Sequence, residues 1–384
     1  MITTSKALGA FCQRIARKKV KVLAIDTEFC RQRTYWPRPC LIQLATPDES
    51  VAIDMLKNLD MTPLKRVLSN PKITKVIHAA TQDLEVIKTF MQEPPAPLFD
   101  TQIAAMFTAA ASMPSYQALV DAHLGQHLPK GFQRYDWTKR PLSPKALDYA
   151  LNDVRFLLPL YKILKKRLEK LSRTDWMESE MRAVLHAPPP PKASFKTVKG
   201  WALRPLSKRA FTLLSHVADW RENAAQTKNK PRQHIATDAT ILKAIGLAAK
   251  KDLDLTAIEA TLKHIKADAK RTQSWMDILD WPQDRLLCPP KKPRTKPEIA
   301  PLKAKLLQTA ETLDMPFSFL LTTKQLEKLA AGIKPEKIVQ GWRHEALADL
   351  FYDGKNTKRK TPPQKRGFLQ TCRRFLKALT GRGS

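Results

Sequence analysis

Short apolar runs and stretches of helical periodicity alternate along the first 185 residues. The apolar runs that read as strands begin at Val22, Cys40, Ser50, Lys75 and Leu98. Helical periodicity is found at residues 115–124 and 144–172. Strands in succession, followed by alternating helices and strands, predict an α/β domain with a mixed sheet. The domain has no GxGxxG motif after a strand and no Walker-type loop, which disfavours the nucleotide-cofactor folds of this class.

Beyond residue 185, proline-rich stretches separate blocks of helical periodicity. Residues 188–191 are four prolines, typical of a stiff polyproline II spacer, and a Pro/Lys stretch follows at 289–301. The two helical blocks echo each other faintly, because Thr237 and Thr322 are both plausible helix N-caps. The predicted division is an α/β domain over 1–185, a linker over 186–202, a helical module over 203–287, a linker over 288–301 and a second helical module with a basic tail over 302–380.

The net charge indicates the kind of partner. The chain carries 67 Lys and Arg against 36 Asp and Glu, a formal charge of +31. Such an excess points to a polyanion, most often nucleic acid and less often an anionic membrane surface. The excess is larger after residue 180 than before it. The helical modules are therefore expected to supply most of the attraction for the partner.

The cysteines and the lengths of the apolar runs indicate the cellular compartment in which the protein is expected. The five cysteines are scattered without a metal-ligand spacing, which favours reduced thiols and a cytoplasmic protein. No apolar run is long enough to span a bilayer, so no membrane partner is expected, and no obligate protein partner is evident. Two amphipathic stretches each allow two interpretations. Residues 5–19 fit a transit peptide or a packed first helix, and residues 366–379 fit a membrane-surface helix or the closing helix of the second module.

The first strand ends in two acids, Asp26 and Glu28. Successive side chains of a strand alternate between its faces, so these two carboxylates point to the same side. Carboxylates placed together at the end of a buried strand repel each other unless a cation or a shared proton compensates. The alternative interpretation is a strand that simply runs out into a solvated loop.

Two further sites carry acids in the same domain. Asp83 stands where a strand passes into a helix, and its alternative role is that of a first-turn acid favoured by the helix dipole. Tyr149 and Asp153 are four residues apart on a predicted helix and so lie on one face. Their alternative is a tyrosine at the edge of the core and an aspartate in solvent. Asp148, five positions before Asp153, falls off that face.

Taken together, these acids and the tyrosine resemble the pattern of the DEDD exonuclease superfamily in its DEDDy branch. Within that branch the sequence is similar to the ribonuclease D family. The similarity extends through the segments His78–Glu85, Phe99–Gln102, Asp136–Trp137, Arg140–Ser143 and Tyr149–Leu157. The helical blocks resemble the C-terminal modules shared by helicases and ribonuclease D, around Trp220-Arg221 and, more faintly, around Trp342-Arg343.

The resemblance implies a ribonuclease H-like exonuclease domain followed by two small all-α helical bundles. It also implies two divalent ions, Mg²⁺ or Mn²⁺, for which carboxylate oxygens are suitable ligands. The residues implied to hold the ions are Asp26, Glu28, Asp83 and Asp153. Tyr149 is implied to be the fifth catalytic residue, which orients the attacking water.

The resemblance further implies contacts to the terminal nucleotide of the substrate from Thr27, Phe29 and His78. For His78 a plain alternative stands beside this role, namely a hydrogen-bonded histidine at the end of a strand.

The predicted function is a metal-dependent 3′→5′ exoribonuclease. Its expected substrates are single-stranded RNA 3′ extensions, such as those of tRNA precursors, which it would hydrolyse to 5′-mononucleotides. One alternative is a 3′→5′ exonuclease that acts on DNA, because the contacts to a 2′-OH cannot be identified in the sequence. Another is a non-catalytic RNA-binding protein on the same scaffold, against which the presence of all four acids and the tyrosine argues.

Overall fold

A computed structural model describes residues 1–109, 112–129, 131–132, 135–186, 194–203, 206–265, 267–290 and 297–352. Contacts divide these residues into two compact units. The first unit takes its residues from 1–29, 39–186 and 297–352, and the second from 30–38 and 194–290. The proline spacer at 188–191, the basic tail and the amphipathic stretch at 366–379 lie outside the described residues. The predicted domain boundaries stay predictions.

The strands are β1 (Val22–Cys30), β2 (Arg38–Ala45), β3 (Ser50–Asp54), β4 (Thr74–Ile77) and β5 (Leu98–Asp100). The helices up to residue 185 are α1 (Ser5–Arg17), α2 (Thr62–Leu68), α3 (Thr81–Ile87), α4 (Thr101–Thr108), α5 (Tyr116–Leu124), α6 (Pro144–Arg155), α7 (Leu157–Lys170) and α8 (Thr174–Leu185). The second unit contains α9 (Lys208–Thr227), α10 (Arg232–Ile235), α11 (Asp238–Ala248), α12 (Leu255–Lys263) and α13 (Ala269–Asp277). The last block contains α14 (Ala300–Leu313), α15 (Phe317–Leu320), α16 (Thr323–Ala330), α17 (Trp342–Ala346) and α18 (Ala348–Phe351). Short 3-10 helices cover Ser194–Thr197, Trp201–Leu203, Ile278–Asp280 and Pro335–Lys337.

The strands form one mixed sheet in the order β3-β2-β1-β4-β5, which confirms the predicted fold class. Strand β4 runs parallel to both β1 and β5, whereas β2 and β3 are antiparallel. Strand β1 is central, and its apolar residues Leu23, Ala24 and Ile25 are fully buried. The apolar run thus fixes β1 in the middle of the sheet, and the acids at its end extend from a fully buried segment.

The predicted helix over 144–172 is in fact two helices, α6 and α7, which are separated at Phe156. Pro159 lies in the first turn of α7. Proline has no amide hydrogen to donate to the carbonyl of Arg155, four residues earlier, and its ring crowds that carbonyl. The break separates α6, which carries Tyr149 and Asp153, from α7.

Helix α1 is a packed first helix, one of the two interpretations of residues 5–19. The hydroxyl of Thr4 accepts a hydrogen bond from the amide of Ala7 at 3.2 Å and caps the helix. The apolar face of α1 is buried in the core of the first unit through Leu8, Phe11, Cys12 and Ile15.

The block 297–352 belongs to the first unit. Aromatic side chains pack it against helices α4 and α8 of that unit. The ring of Trp342 lies 4.7 Å from that of Phe107 and 5.5 Å from that of Trp176, centroid to centroid. Glu180 accepts hydrogen bonds from Nε1 of Trp342 at 2.8 Å and from the guanidinium of Arg343 at 2.6 and 3.0 Å. Helices α14 to α18 therefore share one hydrophobic core with the sheet and the helices around it.

The second unit has a separate core, built on the long helix α9 and on α11 to α13. Arg221 of α9 is fully buried, and it pairs with Asp238 at 2.6 Å. Its guanidinium also donates to the carbonyl of Ala236 and the hydroxyl of Thr197. A buried cation with several partners fixes the relative placement of these segments within the unit.

Within the described residues, no helix combines the length and the apolar character needed to cross a membrane. In the same part of the chain, Cys12, Cys30, Cys40 and Cys288 form no disulfide with one another.

Candidate active site

Three carboxylates converge where β1 meets α6. Asp26 and Glu28 project from the same face of β1, and Asp153 projects from the last turn of α6. One oxygen from each of the three carboxylates lies within 4.8 Å of one from each of the others. The structure therefore brings together acids that are more than 120 residues apart in sequence.

The segment before α6 sets the position of this helix. Arg140 binds the carboxylate of Asp54, which is buried at the end of β3, through two hydrogen bonds of 2.7 and 2.9 Å. The same guanidinium donates to the carbonyl of Cys40 at 2.9 Å. Ser143 then caps α6 by accepting from the amide of Ala146 at 3.2 Å. The sheet and the helix start thus hold Asp153 in register with β1.

Asp83 approaches the same place from the first turn of α3. Its side chain is 7% exposed, and its Oδ1 accepts a hydrogen bond of 2.6 Å from the hydroxyl of Thr27. Asp83 is not one of the three acids whose oxygens lie within 4.8 Å of one another. It is still close enough that its negative charge raises the pKa values of Asp26, Glu28 and Asp153.

Burial and mutual repulsion disfavour the charged forms of these acids. Burial first, and then the charges of Asp153 and Asp83, raise the pKa of Glu28 to about 9. Burial and the charge of Asp83 raise the pKa of Asp153 to about 7. Burial and the charges of its three neighbours raise the pKa of Asp26 well above its usual value. Burial also raises the pKa of Asp83 to about 6, although the hydrogen bond from Thr27 opposes the shift.

This donor set suits divalent cations. Carboxylate oxygens are the ligands that hard ions such as Mg²⁺ and Mn²⁺ prefer. The free energy that the acids lose by burial and repulsion is recovered when a cation neutralises them. The cluster of Asp26, Glu28 and Asp153 has both the chemistry and the spacing for such an ion, and Asp83 adds a fourth carboxylate beside it.

Tyr149 lies one helical turn before Asp153, on the same face of α6. Burial first, and then the charges of Asp153, Glu28 and Asp26, raise the pKa of Tyr149 to about 12. Its ring packs against that of Phe132 with centroids 5.3 Å apart. The hydroxyl of Tyr149 is therefore protonated at neutral pH and serves as a hydrogen-bond donor or acceptor rather than as a base.

The sequence predictions did not include Asp100 as a site residue, although it positions Asp83. Asp100 ends β5 and is 3% exposed. Its carboxylate accepts hydrogen bonds from the amides of Ala79 and Ala80, at 3.1 and 2.8 Å, and from two amides in the first turn of α4. Ala79 has a φ of +55°, a conformation that costs alanine roughly 1–2 kcal/mol. Asp100 thus holds the strained turn that leads into α3 and Asp83.

The sequence around Asp100 predicts part of its structural role. An aspartate between a short strand and a helix is a typical N-cap, and Phe99–Gln102 is one of the segments that resemble the family. The pattern does not show that the same carboxylate reaches back to residues 79 and 80. That contact joins two strand ends about twenty residues apart and depends on the parallel pairing of β4 with β5.

The three predicted substrate contacts have differing environments. The hydroxyl of Thr27 is bound to Asp83, and Phe29 is half-buried near the end of β1. Nδ1 of His78 lies 3.0 Å from the hydroxyl of Thr101, and its ring lies 5.6 Å from that of Tyr116. Burial lowers the pKa of His78 to about 4, so the imidazole is neutral. These contacts agree with the alternative role of His78, and substrate binding by the three residues stays a prediction.

Comparison with known proteins places this geometry in context. The family model of a 3′-5′ exonuclease matches residues 1–169. Ribonuclease D of Gluconacetobacter diazotrophicus is 34% identical over 363 residues, which cover 91% of each chain. Ribonuclease D of Bartonella henselae is 35% identical over 340 residues, or 84% of this chain and 82% of that protein.

A solved structure extends the likeness to three dimensions. It is the crystal structure of Escherichia coli RNase D, described as an exoribonuclease involved in structured RNA processing. It matches with a TM-score of 0.75 and 26% identity, over 92% of this chain and 97% of that chain. The similarity therefore continues well beyond the residues that the exonuclease family model covers.

Proposed function

The chain belongs to the ribonuclease D family and is a 3′→5′ exoribonuclease, and from that premise we propose that it trims single-stranded 3′ extensions of structured RNA, such as tRNA precursors, in the cytoplasm. The observation that carries the proposal is the convergence of Asp26, Glu28 and Asp153 within 4.8 Å, with Asp83 beside them. The description of the E. coli protein as acting on structured RNA supports the choice of substrate.

In this proposal the four acids hold two divalent ions, Mg²⁺ or Mn²⁺. When bound, such ions activate water, neutralise charge on the phosphate and stabilise the leaving oxygen. Asp26 and Glu28 are fixed by the central strand, Asp153 by the capped helix α6, and Asp83 by its bond to Thr27. Because three elements place them, the acids stay close together in spite of their repulsion.

Tyr149 is proposed to orient the attacking water through its protonated hydroxyl. Attack of the water oxygen on phosphorus breaks the bond to the 3′ oxygen of the preceding nucleotide. That oxygen takes up a proton, so the products are a 5′-mononucleotide and an RNA one residue shorter with a free 3′-OH. The raised pKa of Tyr149 makes it unsuited to removing the proton of the water by itself.

The positive charge of the chain supports a long RNA substrate. With a net charge of +31, contacts to successive phosphates supply affinity without a choice of sequence. Selectivity for the 3′ end then depends on the site at the acids rather than on the rest of the RNA.

The test is a cleavage assay with end-labelled oligonucleotides. We expect stepwise shortening of RNA with a free 3′-OH, no shortening of the same RNA with a blocked 3′ end, and loss of activity when EDTA removes divalent ions. DNA of the same sequence should be degraded much more slowly. Internal cleavage products, or equal degradation of DNA, would contradict the proposal.

The helix α6 offers a matched pair of variants for this assay. Asp153→Asn should abolish shortening, because it removes one carboxylate of the cluster. Asp148→Asn should leave it unchanged, because Asp148 lies on the same helix but pairs with Arg155 at the surface. Equal activity of both variants would contradict the assignment of Asp153.

A further inference from the structure

The second unit presents an exposed aromatic ring on the loop 30–38, which follows the acid-bearing strand β1 directly. Trp36 on this loop is 44% exposed. Within the described part of the chain, no other tryptophan is exposed. A single exposed apolar side chain is ordinary on a protein surface, so exposure alone assigns no role. The surroundings of Trp36 are more informative.

The loop is held firmly within its own unit. Oδ1 of Asn229 accepts hydrogen bonds from the amides of Tyr35 and Trp36 at 3.1 and 3.0 Å. The hydroxyl of Tyr35 donates to Glu222 and accepts from Nε2 of Gln226 at 3.1 Å. The Tyr35 ring in turn supports the indole of Trp36 edge to face, with centroids 4.8 Å apart. The exposed indole is therefore preorganised, and a ligand that stacks on it orders little additional structure.

The acid in the polar network around Tyr35 is paired with a cation. Glu222 is the acid in this network, and Arg232 pairs with it through bonds of 2.5 and 2.8 Å. The guanidinium of Arg232 also lies over the Tyr35 ring, 5.0 Å from its centroid. The carboxylate of Glu222 is thus neutralised by Arg232 and adds little repulsion for a phosphate bound at this loop.

The loop of Trp36 and the segment that Asn229 joins to it are rich in exposed cations. No Asp or Glu occurs in residues 30–38 or in residues 228–235. The exposed basic side chains of these two segments are Arg31, Arg33, Arg38, Lys228 and Lys230. Proteins bind single-stranded nucleic acid by combining an exposed aromatic side chain with a positively charged surface. A base stacks on the ring, and the phosphates contact the cations. A duplex does not fit this site, because its bases are already stacked on one another.

We propose that Trp36 is the stacking platform of a single-stranded RNA subsite in the second unit, with Lys228 and Lys230 as phosphate contacts. The proposal rests on the proposed function in one respect, namely that the polyanion is an RNA strand. It concerns affinity for the part of the strand outside the catalytic acids. Hydrolysis of a substrate too short to reach beyond those acids is expected to be independent of Trp36.

The experiment uses the full chain and two substrates, a dinucleotide and a long single-stranded RNA. Trp36→Ala should weaken binding of the long RNA in EDTA, measured by fluorescence anisotropy, by about tenfold. It should raise KM for that RNA and leave dinucleotide hydrolysis unchanged. Trp36→Phe, which keeps a stacking ring, should retain most of the affinity. Phe317→Ala is the matched control, because Phe317 is a similarly exposed aromatic residue in the other unit and should have no effect.

Salt dependence tests the cations separately. Replacing both Lys228 and Lys230 with Gln should lower the slope of log Kd against log salt by about 1.4, since each contact to a single strand contributes about 0.7. Wild-type affinity of Trp36→Ala for the long RNA, or an equal loss on duplex RNA, would overturn the proposal. Failure of the proposed function would instead appear as a wild-type protein that shortens neither substrate, and the binding measurement would still decide on Trp36.

Discussion

The hydroxyl of Thr27 donates a 2.6 Å hydrogen bond to the carboxylate of Asp83, so β1 and α3 are tied together at the acid cluster. Both side chains are buried, at 6% and 7% exposure. The bond stabilises the charged form of Asp83 against burial. Thr27 alternates with Asp26 and Glu28 along the strand. One face of β1 therefore carries two acids, and the side chain between them supports Asp83.

Thr27→Val keeps the shape of the side chain and removes the hydroxyl. The pKa of Asp83 should rise above its value of about 6, because the charged form loses a donor. The acid limb of the profile of kcat/KM against pH should therefore move to higher pH, and activity at neutral pH should fall by about tenfold.

Thr27→Ser is the control for this prediction, since it keeps the hydroxyl and should keep the profile. A role of Thr27 in binding the terminal nucleotide would give a different result. In that case KM would rise while the acid limb stayed in place.

Divalent ions should stabilise the protein in a pH-dependent way. Asp83, Asp153 and Glu28 have folded pKa values of about 6, 7 and 9, all above the unfolded values near 4. Between these limits the folded state binds more protons than the unfolded state, so the metal-free protein loses stability as pH rises from about 4 to 9. The increase in melting temperature on addition of Mn²⁺ should grow over the same range.

Thermal unfolding at a series of pH values, with EDTA or with Mn²⁺, measures this increase. Asp153→Asn should raise the melting temperature of the metal-free protein at pH 8 and reduce the effect of Mn²⁺, whereas Asp148→Asn should behave as the wild type. An effect of Mn²⁺ that is equal at pH 5 and pH 8 would argue against a carboxylate site.

Asp100→Asn should destabilise the protein and impair catalysis together. The amide that replaces one oxygen cannot accept from a backbone amide, so part of the buried turn at Ala79 and Ala80 loses its acceptor. The expected cost is about 2 kcal/mol of the free energy of unfolding, measured with urea. Asp48→Asn, at an exposed aspartate that pairs with Lys18, should change stability by less than about 0.5 kcal/mol. An Asp100 variant of wild-type stability would show that the turn holds without this carboxylate.

Trp342→Ala should destabilise the whole first unit. Trp342 is 4% exposed and packs on Phe107 and Trp176, so its loss leaves a cavity that costs about 3–5 kcal/mol. Because Glu180 also loses the indole donor, the loss should fall in the upper part of that range. Phe317→Ala, at an exposed ring on the same block, should have little effect. A separate early unfolding transition of residues 297–352 would show that the block is not part of a shared core.

Residues that are close in sequence were predictable, and residues that meet only through the fold were not. The alternation of side chains in β1 predicted that Asp26 and Glu28 share a face, and the spacing of four predicted that Tyr149 and Asp153 share another. The contact of Asp100 with the turn at Ala79 depends on the pairing of β4 with β5, which no local pattern encodes. The bond between Tyr35 and Glu222 spans 187 residues and could not be predicted at all.

Local chemistry also corrected the predicted elements. The periodicity over 144–172 is present, but it does not predict the break between the two helices. The break is explained by Pro159, which has no amide hydrogen to donate. Periodicity reports which face of a segment is apolar, whereas a break depends on a single residue. The resemblance to a family predicted the roles of the acids, and the arrangement of the late helices around Trp342 had to come from the structure.

The shared core has a consequence for folding during synthesis on the ribosome. The chain is synthesised from its N-terminus, and Phe107 and Trp176 leave the ribosome long before Trp342 does. Until then the face that these rings form on the exonuclease domain has no cover, and helices α9 to α13 of the second unit are made in the interval. The nascent chain therefore exposes an apolar surface to solvent until Trp342 has been translated, and the core of the first unit is complete only when α14 to α18 have been made.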